Sequence, residues 1–272
     1  MSEYQQYYYF EAIDKPLTSQ QQAELRKIST RAQINSRRFE NEYNWGDLKA
    51  NPDNLLKKYF DVHLYYTNWG TRIIMFKIPV KTVDFPLLKQ YDNGETVRIT
   101  KNGNHVVVDI TADCGDVDEW WEESQKISKY VSFRDDLMAG DYRCLYIAWL
   151  AGYNGRKKTP PIPPGMKKLS GTLRFFVDFM YLDENTLNAA LESASTEEPP
   201  EPTLKEVKDW VAGLPDKDRQ KILVDLLHEK TAAQVLQREL RNRFLKERKT
   251  KTLKTPCPKK PVKKSSKRPS KK

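Results

Sequence analysis

The last 27 residues of this chain cannot contribute to a hydrophobic core, so any fold must be built from residues 1–245. From Lys246 to Lys272 there are 13 Lys or Arg and one acid, Glu247, a net charge of +12, whereas the whole chain carries +10. Residues 1–245 therefore sum to −2. The only aliphatic side chains of the segment are Leu253 and Val262. Among so much Lys, Pro and Ser they bury too little surface to offset chain entropy, and residues 249–272 are expected to form a disordered tail. The pI near 9.3 thus describes a near-neutral body with a polycation attached, and the tail implies an anionic partner.

Residues 1–245 suffice for one large domain or two small ones. The aromatic run 4–13 (YQQYYYFEAI) reads as a strand broken by Asp14-Lys15-Pro16. Thr18 then N-caps a helix with a stripe of Ala23, Leu25, Ile28 and Ala32, and residues 33–45 alternate loosely as a second, more exposed strand. Between Asp53 and Trp69, Leu55, Leu56, Tyr59, Phe60, His63 and Leu64 recur at helical spacing. Gly70 stands where a left-handed stop belongs, so the pattern predicts one helix over that span. Residues 73–78 (IIMFKI), closed by Pro79, suit an interior strand.

VRITK and NHVVVDI flank Asn102-Gly103, the pair favoured by a two-residue type I′ turn. That turn sets Ile99 opposite Val106 and Val97 opposite Val108 on the buried face, with Arg98, Thr100, His105 and Asp109 on the other. Helices are expected over 120–137, after a cap at Asp141, over 172–182 and over 183–194, with the proline-rich loop 155–171 between the second and third. Thr196 to Pro202 reads as a linker, and Thr203-Leu-Lys-Glu206 is a capping box that opens a small three-helix unit.

His63 sits beside an acid, Asp61, but on the predicted stripe of Tyr59 and Leu64, which favours a hydrogen-bonded core histidine over a general base. His105 belongs to the polar hairpin face, and His228 closes a helix. Asp113, Asp116, Asp118, Glu119, Glu122 and Glu123 follow a strand end, where carboxylates could hold Mg²⁺ for a nuclease-like hydrolase, although acids at a helix start also suit the macrodipole. TPPIPP, residues 159–164, has the spacing of a polyproline ligand for an adaptor domain, against a stiff connector as the alternative. Cys114, Cys144 and Cys257 have no CxxC spacing, which fits a reducing compartment without disulfides or a zinc knuckle. No glycine-rich phosphate loop, HExxH or GxSxG occurs, and no cofactor is expected. The N-terminus lacks a basic start followed by an apolar run, and the longest uncharged apolar stretch, 144–155, is too short to span a bilayer, so neither export nor a membrane partner is expected.

The segments YYFEAIDKPLT, YNWGDLK, YFDVHLYYTNWGTR and AGDYRCLYIAWL resemble a family of uncharacterised bacterial proteins, over residues 4 to 195. The resemblance implies a bacterial cytoplasmic protein and carries no activity, cofactor or catalytic residue.

Together these readings predict an α+β protein with a small, mostly antiparallel sheet covered by helices, then a helical C-terminal region and a basic tail. Its organisation is an α+β domain over 1–115, a helical region over 116–195 packed on it, a linker at 196–202, a three-helix unit over 203–248 and the tail over 249–272. The expected function is a non-catalytic interaction protein tethered to nucleic acid through Lys259, Lys260, Lys263, Lys264, Lys267, Arg268, Lys271 and Lys272, without sequence preference, while the body binds a protein partner. The metal-dependent hydrolase and the TPPIPP adaptor are the alternatives.

Overall fold

The computed structural model describes residues 4–113, 127–153, 155, 159–192, 203–220 and 224. The chain divides into two compact units, residues 1–203 and 204–272. The first is an α+β fold on one seven-stranded antiparallel sheet, ordered β2-β3-β1-β4-β5-β7-β6. Its strands are β1 (Gln5–Glu11), β2 (Gln33–Ile34), β3 (Arg38–Asn44), β4 (Val62–Thr67), β5 (Thr71–Pro79), β6 (Val97–Asn102) and β7 (His105–Asp113).

Period-2 alternation gives the sheet two buried faces. Tyr9, Leu64, Ile74, Phe76, Val97, Ile99, Val108 and Ile110 point to one core; Tyr8, Phe10, Phe39, Met75 and Val107 point to the other. The second face is covered by α1 (Ser19–Ile28) and α2 (Pro52–Tyr59) through Leu25, Leu55 and Leu56. Helices start where the side chains allow. Thr18 and Gln21 form a capping box at α1, and Asn51 caps α2 ahead of Pro52. The first face is covered by α4 (Ile127–Ala139), α5 (Arg143–Ala151), α6 (Gly171–Phe179) and α7 (Glu184–Glu192), whose Tyr130, Phe133, Leu145, Trp149, Phe176, Phe179 and Leu187 join the same cluster. A short α3 (Phe85–Leu88) precedes β6.

The predicted helix over Asp53–Trp69 is a helix followed by a strand. α2 ends at Tyr59, and Val62–Thr67 pairs with both β1 and β5. The apolar positions after Phe60 satisfy either period over so short a run, and the β-branched and aromatic content of VHLYYT settles for the strand. Gly70, at φ 89, is accordingly the left-handed last residue of a three-residue hairpin loop, with its N–H on Thr67 O at 3.2 Å.

The β6–β7 hairpin forms, but its turn is Gly103-Asn104. Asn102 pairs with His105, Ile99 with Val108 and Val97 with Ile110. Gly103 has φ 57 while Asn104 is not left-handed, so the turn needs glycine only at its first central position, as a type II′ turn does. The two faces are as predicted, because moving the turn centre by one residue shifts each partner by two and preserves parity.

The N-cap of α5 is Tyr142, not the predicted Asp141, which lies one residue before it; the Asp141 carboxylate accepts from Arg143 N–H at 3.1 Å and from the Arg143 guanidinium at 2.6 and 3.0 Å. Cys144 through Leu150 are all buried, so α5 is an interior helix rather than a one-sided one. α6 begins one residue before its predicted span and α7 falls within its own, Asp183 capping the latter through Thr186 N–H. Residues 114–126 lie outside the described set, and with them the predicted start of the helix that continues as α4. In the second unit α8 (Leu204–Ala212) begins directly after Thr203, and Pro215 O accepts from Asp218 and Arg219 N–H at 2.9 and 3.1 Å.

Candidate functional site

His63 lies on β4, not on a helix, and its ring stacks on Phe10 with centroids 4.0 Å apart. Nδ1 is 3.0 Å from Tyr9 O. Burial pushes the imidazole down to about 4, so it is neutral at physiological pH, the preferred reading of a core histidine.

Other ionic groups are likewise engaged within the unit. Asp61, at the start of β4, accepts from the N–H groups of Ile13 and Asp14 at 2.7 and 2.8 Å and pairs with Lys77 Nζ at 3.3 Å. Lys77 also donates to Leu56 O at 3.2 Å, closing the C-terminal end of α2. Arg134, 1% exposed, reaches from α4 to fork Asp14 at 2.7 and 3.0 Å and to Lys77 O at 2.8 Å. These four residues fasten a helix to the ends of three strands. The sequence marks Asp61 only as a neighbour of His63 and Asp14 only as a strand breaker, and gives no sign that these four residues meet.

The β5–β7–β6 part of the second face stays partly open and polar. Arg98 and Asp109 are direct cross-strand partners with an ion pair at 3.8 Å, and Thr111 Oγ1 donates to Asp109 at 3.2 Å. Burial raises the Asp109 carboxyl above its ordinary value, with Arg98 opposing the shift. Beyond them Lys57, Lys77, Asn102, His105 and Val107 line a depression of about 90 Å³. The hairpin face predicted from Arg98, Thr100, His105 and Asp109 is therefore real, and α2 adds Lys57 to it. Lys57 is itself paired with Asp53.

A second grouping lies where β1 begins and β3 and β4 end. Tyr4 meets the Trp45 ring at 5.7 Å and 75° and the Trp69 ring at 5.7 Å and 64°. Tyr4 and Trp45 are 60% and 61% exposed. Both tryptophans sit in the tripeptide Asn-Trp-Gly, at 44–46 and 68–70, a short repetition that was the available sequence signal and was missed. Trp45 has φ 64, an outlier for a bulky residue. Its turn is clamped by buried Gln6, whose Nε2 donates to Gly46 O and to Asp47 Oδ1.

TPPIPP packs against the first core: Pro160 and Pro163 are buried, Ile162 touches that core, and Tyr91 Oη donates to Pro161 O at 2.9 Å. Asp113 ends β7, but the rest of the predicted acidic run, Asp116 to Glu123, lies outside the described residues, as do Cys114, Cys257, His228 and the eight tail cations Lys259 to Lys272. Cys144 is buried, which raises its thiol well above the ordinary value. Among the described residues no group of three His, Cys, Asp or Glu is placed to hold a metal ion, and no helix is long and apolar enough to cross a membrane. No protein-family model, curated protein or solved structure matches the chain.

Proposed function

We propose that this is a non-catalytic interaction protein of the bacterial cytoplasm, held on nucleic acid by its cationic C-terminal segment while the folded unit 1–203 engages a protein partner. The observation that carries the reading is the segregation of charge, +12 within residues 246–272 against −2 for all the rest. Lys259, Lys260, Lys263, Lys264, Lys267, Arg268, Lys271 and Lys272 would neutralise phosphates, which supplies affinity without base readout. The folded unit supports a binding rather than a catalytic role, because His63, Asp61, Lys77 and Arg134 are spent on internal fastening.

The test compares the full chain with a truncation after Phe244 on duplex DNA and heparin. If all eight cations contact phosphate, log K should fall with log salt at a slope of up to about −7, and duplexes of unrelated sequence should bind alike. Truncation should abolish retention at low ionic strength. Equal retention of the truncated chain would end this reading.

A further inference from the structure

The two edges of the sheet are treated differently. On β6 the outward backbone groups of Val97 and Ile99 are occupied from within the unit. Val97 N–H donates to Asn93 Oδ1 at 2.9 Å and Ile99 N–H to Asp92 Oδ2 at 2.9 Å, while Lys89 Nζ donates to Ile99 O at 2.7 Å. Over that stretch a further strand is blocked, which is how natural sheets protect an edge. At the other end β2 covers β3 only at Gln33↔Glu40 and Ile34↔Phe39. Trp45 N–H donates to Tyr4 O at 3.2 Å, which fixes the parity of β3. Its odd-numbered residues direct backbone groups to β1, and Glu42 and Asn44 direct theirs outward. Among the described residues those groups have no strand partner, and the stretch Asn41-Glu42-Tyr43-Asn44-Trp45 carries neither Lys nor Pro to discourage pairing.

We propose that this edge of β3, with the rings of Tyr4, Trp45 and Trp69 beside it, is the docking site for an extended Lys- or Arg-bearing segment of a partner protein, which adds as an eighth strand. The chemistry of the surroundings selects that occupant. Glu42 and Asp47 are exposed and in no ion pair among the described residues, so an added strand with a cation opposite Glu42 gains a cross-strand charge pair. The exposed Trp45 ring offers a cation–π surface, and the same carboxylates repel a phosphate backbone. The backbone at Trp45 supports the assignment. The neighbouring Gly46, where a β-carbon would meet nothing within 4 Å, is not left-handed; Trp45 is.

This inference rests on the reading of unit 1–203 as a partner-binding module and is separable from the tail. The experiment is calorimetric titration of the full chain with acetyl-Val-Lys-Val-Lys-Val-Lys-amide and with its Gln counterpart. The Lys peptide should bind, and the Gln peptide at least about tenfold more weakly. Glu42→Pro removes an outward N–H and the carboxylate while leaving the ladder to β1 intact; Trp45→Gly removes the ring at a backbone position that suits glycine. Each should weaken the Lys peptide by at least about tenfold with a native circular dichroism spectrum, and heparin retention should match the parent. If Glu42→Pro fails to fold, Trp45→Gly decides alone. Absence of binding to the folded chain, equal binding of the two peptides, or unchanged binding in a folded variant overturns the proposal. So does a concentration-dependent dimer that Glu42→Pro dissolves, which would assign the edge to a second copy.

Discussion

Lowering the pH from 7 to 5 should cost the sheet about 2 kcal/mol at one side chain, His63. In the folded state burial holds its imidazole at about 4, against an ordinary value of 6.5. Below 6.5 the unfolded chain takes up a proton that the folded chain refuses, so unfolding is favoured as the pH falls, and stability rises with pH across the window. Well above 6.5 both states are neutral and His63 contributes no slope. Integrating the two titrations gives a loss of about 2 kcal/mol between pH 7 and 5, levelling off at about 3 kcal/mol below pH 4, where both states are protonated. The assay is urea unfolding of the parent and of His63→Phe at several pH values. Phenylalanine keeps the stack on Phe10 and gives up the contact with Tyr9 O, so the variant should be weaker at pH 7 by about 1 kcal/mol. Its dependence on pH should nevertheless be shallower by about 2 kcal/mol, because every other ionisable group is common to the two proteins and its contribution cancels. Parallel pH curves would refute the reasoning, since they would mean that His63 is solvated enough to accept its proton in the fold.

Two further stability predictions follow from single residues. Gly103→Val places a β-branched residue at φ 57, where its Cβ meets no neighbour within 4 Å; the cost is therefore backbone strain alone, about 1 to 3 kcal/mol by urea unfolding, and an unchanged midpoint would contradict the turn. Arg134→Met removes three charge-assisted hydrogen bonds that hold α4 to Asp14 and Lys77 O and should destabilise by about 2 to 4 kcal/mol, less than a fully buried pair would because the Asp14 side chain is 45% exposed. A loss under about 1 kcal/mol would show that α4 is held by Tyr130, Phe133 and Leu137 without it.

Much of the fold can be read in the sequence because alternation and capping are local. QQYYYFE cannot bury its aromatics except on two faces of a strand, and Thr18 with Gln21 announces α1 within four residues. The reading fails where two periods agree over a short run. Tyr59, Phe60, His63 and Leu64 fit a helix in isolation; what excludes it is pairing of His63 with Phe10 on one side and Met75 on the other, contacts 53 and 12 residues away. The hairpin register failed for a different reason. Asn102-Gly103 favours a type I′ turn, but Gly103-Asn104 answers a type II′ turn equally well, and only the full β5–β7–β6 ladder, from Thr71↔Asp113 to Pro79↔His105, selects between them.

The candidate sites were less legible, because they depend on which residues the topology brings together. Asp61 and Lys77 meet as ends of neighbouring strands, and Arg134 reaches Asp14 across 120 residues, so no window of sequence contains the group. The two Asn-Trp-Gly tripeptides make the same point with identical letters. At 68–70 the chain turns straight back into β5, a three-residue loop needs a left-handed last position, and Gly70 supplies it at φ 89. At 44–46 no strand returns: the chain leaves for α2, Gln6 holds Gly46 O and Asp47 in place, and the left-handed conformation falls on Trp45. The same tripeptide therefore yields a relaxed turn at one end of β4 and a strained, exposed ring beside the open edge of β3. Strain is kept in a fold only where the surroundings over-determine it, and here a buried glutamine does so beside the one stretch of β3 whose outward backbone groups β2 leaves uncovered.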